Sequence, residues 1–189
     1  MDNQPTANNK PPKTISGTFS GNRVESRVLE EQIQEAVARG ERSIEVRAFG
    51  QHGIGGRLWR SGNEPVHVKI TGHTGQRVGS MGFPNTFIEI NGPASDDVGW
   101  LNAGAELTIL GDGGDTTAHC AASGKICVAG RVGTRSGSLM KHDPAYPAPE
   151  LWILKNTGSF SFEFMCGGIG VVCGYGREDL PSVIGDRSC

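Results

Sequence analysis

The chain has 189 residues, 29 of them glycine, and a formal net charge of −2. That length buries one sizeable core. The near-neutral balance excludes the electrostatic footprint of a nucleic-acid binder, and no apolar run approaches the ~20 residues of a membrane helix. The five cysteines are odd in number; with no apolar h-region at the N-terminus they are read as reduced thiols in a cytoplasm.

In chain order, residues 1–13 ("MDNQPTANNKPPK") read as a disordered polar lead. Residues 14–40 hold a strand and a helix. "NRVESRVLEEQIQEAVARG" places Val24, Val28, Leu29, Ile33, Ala36 and Val37 on one stripe, predicting an amphipathic helix over 23–39. Asn22 and Glu25 have capping-box spacing, and Gly40 stands as its C-cap. The helix is expected to plug one end of the strand-rich region beyond it; the alternative is an ordinary surface helix.

From residue 41 to 176 one phrase recurs. "IEVRAF", "VHVKI", "FIEI" and "ICVA" alternate or run apolar as half-buried strands do. Each is closed by a glycine: Gly50, Gly72, Gly92, Gly111, Gly130 and finally Gly174, at intervals of 22, 20, 19, 19 and 44. The long interval hides one more phrase, "ELWILKN" (150–156), preceded by the proline-rich insertion "KHDPAYPAPE" (141–150). Periods of about 20 residues mark a solenoid. Short strands without intervening helices, and no Leu-x-x-Leu-x-Leu spacing, predict an all-β fold. It is a single-stranded right-handed parallel β-helix of about 7 rungs with an N-terminal capping α-helix, each coil carrying two or three short strands. Residues 177–189 read as a C-terminal tail.

These residues carry a resemblance. "TGHTGQRVGSMG" (71–82), through Gly72, Gly75, Gln76 and Gly79, resembles a glycine turn of the C-terminal β-helix of the glutamate synthase large subunit, the GXGXG domain. "EINGPASDDVGWLNAGAELTI" is similar to a second segment through Gly92, Ala94, Asp97, Val98, Gly99 and Gly104. "GKICVAGRVGTRSG" matches a third through Gly130, Arg131 and Gly133. "FEFMCGGIGVVCG" matches a fourth through Glu163, Met165, Gly167, Gly168, Val171, Val172 and Gly174. The chain resembles a stand-alone copy of that domain.

The resemblance implies a non-catalytic structural subunit. It would scaffold a glutaminase-type amidotransferase subunit and a flavin-dependent synthase subunit in glutamate biosynthesis and ammonia assimilation. It implies no cofactor in this chain, with FMN and an iron–sulfur cluster in a partner subunit. The same fold occurs in a structural subunit of formylmethanofuran dehydrogenase, which gives a second structural reading, serving one-carbon metabolism. A third is an independent protein, either an esterase-like hydrolase or a homo-oligomer when isolated.

Tyr146 and Trp152, in and beside the insertion, are the candidate interface residues; the alternative is a solvated loop with Trp152 turned into the core. Ser136, Ser138, His142 and Asp143 crowd one stretch, but the Gly-x-Ser-x-Gly elbow is absent. Cys120 and Cys127 are seven apart, as are Cys166 and Cys173, much looser than Cys-x-x-Cys metal knuckles. Asp112 and Asp115 in "GDGGDTT" suit turn geometry, since one copy cannot build a calcium β-roll. His67 is expected to face outward, and His52 and His73 to share a corner. "GIGGRL" lacks the strand–helix frame of a dinucleotide site.

Overall fold

The computed structural model describes residues 11–175; most of the assigned lead and the tail 177–189 lie outside them. Strand β1 (Lys13–Ser16) is followed by a small antiparallel hairpin, β2 (Thr18–Phe19) and β3 (Asn22–Arg23), and by helix α1 (Ser26–Ala38). Then come β4 (Ser43–Gln51), β5 (Val66–Thr74), β6 (Thr86–Asn91), β7 (Ala103–Ile109), β8 (Ser123–Val128), β9 (Glu150–Ile153) and β10 (Ile169–Val172).

One parallel sheet runs β1-β4-β5-β6-β7-β8-β9-β10, each strand beside the next in sequence. Only a coiling chain produces that order. Seven rungs, β4 to β10, are joined by six turns, an all-β parallel β-helix.

Alternation builds the core. Ile44, Val68, Ile88, Leu107, Ile126 and Leu151 stack as one inward column, and Val46, Ile70, Ile90, Ile109, Val128 and Ile153 as another. All twelve are essentially fully buried. Burying such a side chain stabilises by about 1.5–3 kcal/mol relative to exposure, so the two columns dominate the fold.

Helix α1 lies across the first coil. Leu29, Ile33, Ala36 and Val37 are buried in the same core cluster as Ile54 and Leu58. Its polar side is tied to the coil as well: Gln34 Nε2 donates to the Gly56 and Arg57 carbonyls at 3.1 and 3.2 Å. The helix closes in a Schellman arrangement, Gly40 N–H to Val37 O and Glu41 N–H to Ala36 O, with Gly40 at φ +90°.

The N-terminal boundary differs from expectation. Asn22 pairs with Phe19 in the hairpin, Glu25 is the N-cap without a side-chain bond, and Val28 is exposed. The cause is tertiary. Val24 N–H bonds Gly17 O, and the Arg23 guanidinium holds the Phe49 and Gly50 carbonyls at 3.0 and 2.8 Å. Residues 22–24 are therefore claimed by the sheet before the helix begins.

The wall opposite the sheet also differs. Each coil has one strand in the sheet instead of the two or three expected. The rest of the coil crosses in alternating left-handed steps. Positive φ falls at every second residue in six successive coils: 53/55/57, 77/79/81, 97/99/101, 116/118/120, 135/137/139 and 160/162/164. Only five of these eighteen positions are glycine, so most of the wall holds side chains in a conformation that L-residues seldom adopt.

What holds them there is a ladder between coils. Asp97, Thr116 and Arg135 donate their N–H to the next coil, at Asp115, Thr134 and Ser159. Gly99, Ala118 and Gly137 donate to the previous one, at Val78, Val98 and Thr117. Backbone groups that a β-strand would pair sideways are satisfied alternately up and down the stack.

Candidate docking faces and what the side chains can do

The middle position of each left-handed triplet faces the core. A Cβ at Gly79 would sit 2.5 Å from Leu107 Cδ2, and one at Gly99 would run into Ile126 Cδ1. Both residues need φ of +64° and no side chain. Their coil mates are Gly55, Ala118, Gly137 and Phe162, so the column enlarges only at its last coil.

The strand-closing glycines divide by physical role. Gly50, Gly72, Gly92 and Gly174 turn the chain with positive φ. Gly111 and Gly130 have ordinary φ, but a Cβ at either would meet the backbone one coil earlier, at Gly92–Pro93 and Gly111–Asp112. Gly75 is pressed against Gln51 and His52 in the same way, and Gly167 and Gly168 take positive φ against His142 and Pro149.

The hydroxyl and histidine side chains serve the coil. Ser136 is fully buried, its Oγ donating to Gly133 O at 3.1 Å. Ser138 Oγ donates to Arg135 O at 2.7 Å and lies 2.7 Å from His119 Nδ1. A hydroxyl has one proton. That proton can go to Arg135 O or to His119 Nδ1, both at 2.7 Å, and the histidine tautomer decides which.

Burial holds the His119 pKa below its ordinary value, with nearby Asp97 opposing the shift. His142 Nε2 lies 3.0 Å from Tyr146 O, and Asp143 Oδ1 accepts from Ala145 N. The serine–histidine–aspartate stretch thus does not converge into a triad. The His119–Ser138 pair, one rung period apart, escapes a search confined to partners nearby in the chain.

Other charged and polar candidates resolve similarly. Asp112 Oδ1 accepts from Arg131 N and Asp115 Oδ1 from Thr134 N, each bracing the following coil. His52 Nδ1 accepts from Gln76 N at 3.0 Å, while His73 sits in register with Phe49, so the two histidines do not share a corner. His67 is exposed and stacks on Phe87 at 4.8 Å.

Cys120, Cys127 and Cys173 are free thiols, and burial pushes the first two above the usual thiol pKa. Cys166 is disulfide-bonded, which corrects the reading of all five cysteines as reduced. Among the described residues no group of three or more His, Cys, Asp or Glu side chains could hold a metal ion, and no described helix is long and apolar enough to cross a membrane.

Two surfaces are left with contact chemistry. Tyr146 stands exposed over a groove of about 730 Å³ whose walls include Phe83, Pro84, Lys125, Lys141 and Glu150. Trp152 lies on the outer face of β9, its Nε1 donating to Glu150 Oε2 at 2.7 Å and Lys125 Nζ 5.6 Å from its ring centre. Trp152 is 38% exposed and is not turned into the core.

No curated protein and no solved structure matches the chain. The GXGXG motif family matches residues 30–180, the span that holds most of the helix, the sheet from β4 onward and the left-handed wall. The chain belongs to that family, the one formed by the C-terminal domain of the glutamate synthase large subunit.

Proposed function

We propose that this chain is a non-catalytic wall of a glutamate-synthase-type assembly. It would hold a glutaminase-type amidotransferase subunit against a flavin-dependent synthase subunit that carries FMN and an iron–sulfur cluster. The observation that carries the reading is the family match over residues 30–180, about four-fifths of the chain. The side chains agree with it. Ser136 is fully buried, and Asp112 and Asp115 brace backbone. A stiff surface whose polar groups are spent on its own coils suits spacing and docking.

The reading places the assembly in the cytoplasm. The three free thiols count for that and the bonded Cys166 against it, and cell fractionation decides. Affinity capture of the tagged chain from its native cells, with mass spectrometry and flavin absorbance on the eluate, tests the proposal. Stoichiometric recovery of a flavoprotein is expected. Recovery with a pterin-cofactor oxidoreductase would replace the reading with the formylmethanofuran-dehydrogenase-like one. A colourless chain eluting alone would overturn both.

A further inference from the structure

We propose that the chain forms a two-fold homodimer through the outer sheet face of its last four rungs, the strands of a second copy lying over β8 and β9 with its stack running the opposite way. The proposal stands apart from the synthase reading. It rests on how one face changes character along the stack.

On the first rungs the outward positions are polar: Glu45, Lys69 and Glu89 in one column, Arg47, Thr71 and Asn91 in the next. From β7 onward the same two columns become Thr108, Cys127, Trp152 and Val171, and Leu110, Ala129, Leu154 and Cys173. Leu110 is 50% exposed, Leu154 44% and Trp152 38%. With Ala129, Val171 and Cys173 beside them they form one contiguous, largely apolar stripe.

The relief of this face identifies its occupant. β8 presents small residues, Cys127 and Ala129, beside the large Trp152 and Leu154 of β9. The step between them is a trough of about 300 Å³. A two-fold axis parallel to the strands and midway between β8 and β9 sets each copy's β9 ridge over the other's β8 trough. The same operation matches β7 with β10, so Leu110 meets the second copy's Cys173.

Charge obeys the same axis. Lys125 and Glu150 are register partners at 3.8 Å within one chain, so the axis places Lys125 of each copy over the second copy's Glu150. Rungs of one solenoid share a period with rungs of its copy, and ridge and trough therefore stay in step along the face. At the two central rungs one operation sets ridge over trough and opposite charges over each other, as an isologous interface requires.

Sedimentation velocity of the purified full-length chain from about 1 to about 100 μM tests this. A concentration-dependent monomer–dimer equilibrium is expected, with L154E raising the dissociation constant at least about tenfold and circular dichroism unchanged. K125E and E150K should each weaken the dimer alone, and mixing the two should yield a 1:1 heterodimer, because opposite charges then face each other at both crossings. That rescue separates the pairing between copies from the pair within one chain.

A monomer at every concentration would overturn the proposal, as would a dimer indifferent to L154E or a mixture that fails to associate. A monomer whose L154E variant loses a captured flavoprotein would assign the face to that partner and overturn it too.

Discussion

Glu30 shows how one carboxylate joins the cap to the coil. It accepts from Gly55 N–H at 3.1 Å and Gln34 Nε2 at 3.2 Å. Burial nevertheless pushes its pKa up to about 7, the two hydrogen bonds and Arg57 opposing. A raised acid pKa means the folded state holds its proton longer than the unfolded chain. Stability therefore falls as pH rises from about 4.5 to about 7 and is flat on either side, by on the order of 2 kcal/mol after allowing for solvent screening. Glu30→Gln keeps an acceptor for Gly55 and removes the charge. It should raise the melting temperature by several degrees at pH 8 and leave it unchanged at pH 4. A lower melting temperature at pH 8 would mean that the attraction to Arg57 outweighs burial.

A second contrast at this scale lies within one coil. Gly99→Ala adds a Cβ to a left-handed residue and drives it into Ile126, so a loss of about 2–4 kcal/mol is expected in denaturant unfolding. Leu101→Gly, two residues on at φ +55° and facing outward, should stay within about 1 kcal/mol of zero. Equal losses at the two sites would contradict the assignment of inner and outer columns.

At the scale of elements, the strands were legible and the opposite wall was not. Period-two alternation in "IEVRAF" and "VHVKI" reports directly on which side chains are buried, and Ile44, Val46, Val66, Val68 and Ile70 are buried as it implies. The left-handed wall leaves no comparable hydropathy trace. Arg77, Asp97, Thr116, Arg135 and Phe160 share one position in the coil and range from charged to aromatic. The trace that exists is steric: Gly55, Gly79, Gly99 and Gly137 form a second series, with Ala118 at the missing step.

Helix α1 was half legible for a related reason. Its buried face follows from spacing, but its start is set by Arg23 reaching a coil 26 residues away. Leu29, fully buried at the cap's centre, gives the test. Leu29→Ala should cost about 2–5 kcal/mol and raise hydrogen exchange in β1 and β4 before β8 and β9. Uniform acceleration along the stack would mean that the solenoid unfolds as one unit without a weaker capped end.

At the scale of the whole molecule, the rung period is the most informative number in the sequence. Adding it to any residue names a neighbour: His119 leads to Ser138, Asp96 to Asp115, Asp115 to Thr134. The same addition shows why clustering in the chain misleads. Ser136, Ser138, His142 and Asp143 lie close in sequence, yet the coil carries them apart. Trp152 escapes simple addition because the insertion lengthens its coil, and its outward place beside Cys127 is visible only in the fold.

The proposed role makes the molecule a wall that couples its partners, and glutamine-dependent glutamate formation by the captured flavoprotein, with and without this chain, tests that most directly. Omitting the chain should abolish glutamine-dependent turnover, adding it back at one equivalent should restore it, and the chain alone should turn over nothing. Undiminished turnover without the chain would contradict the role.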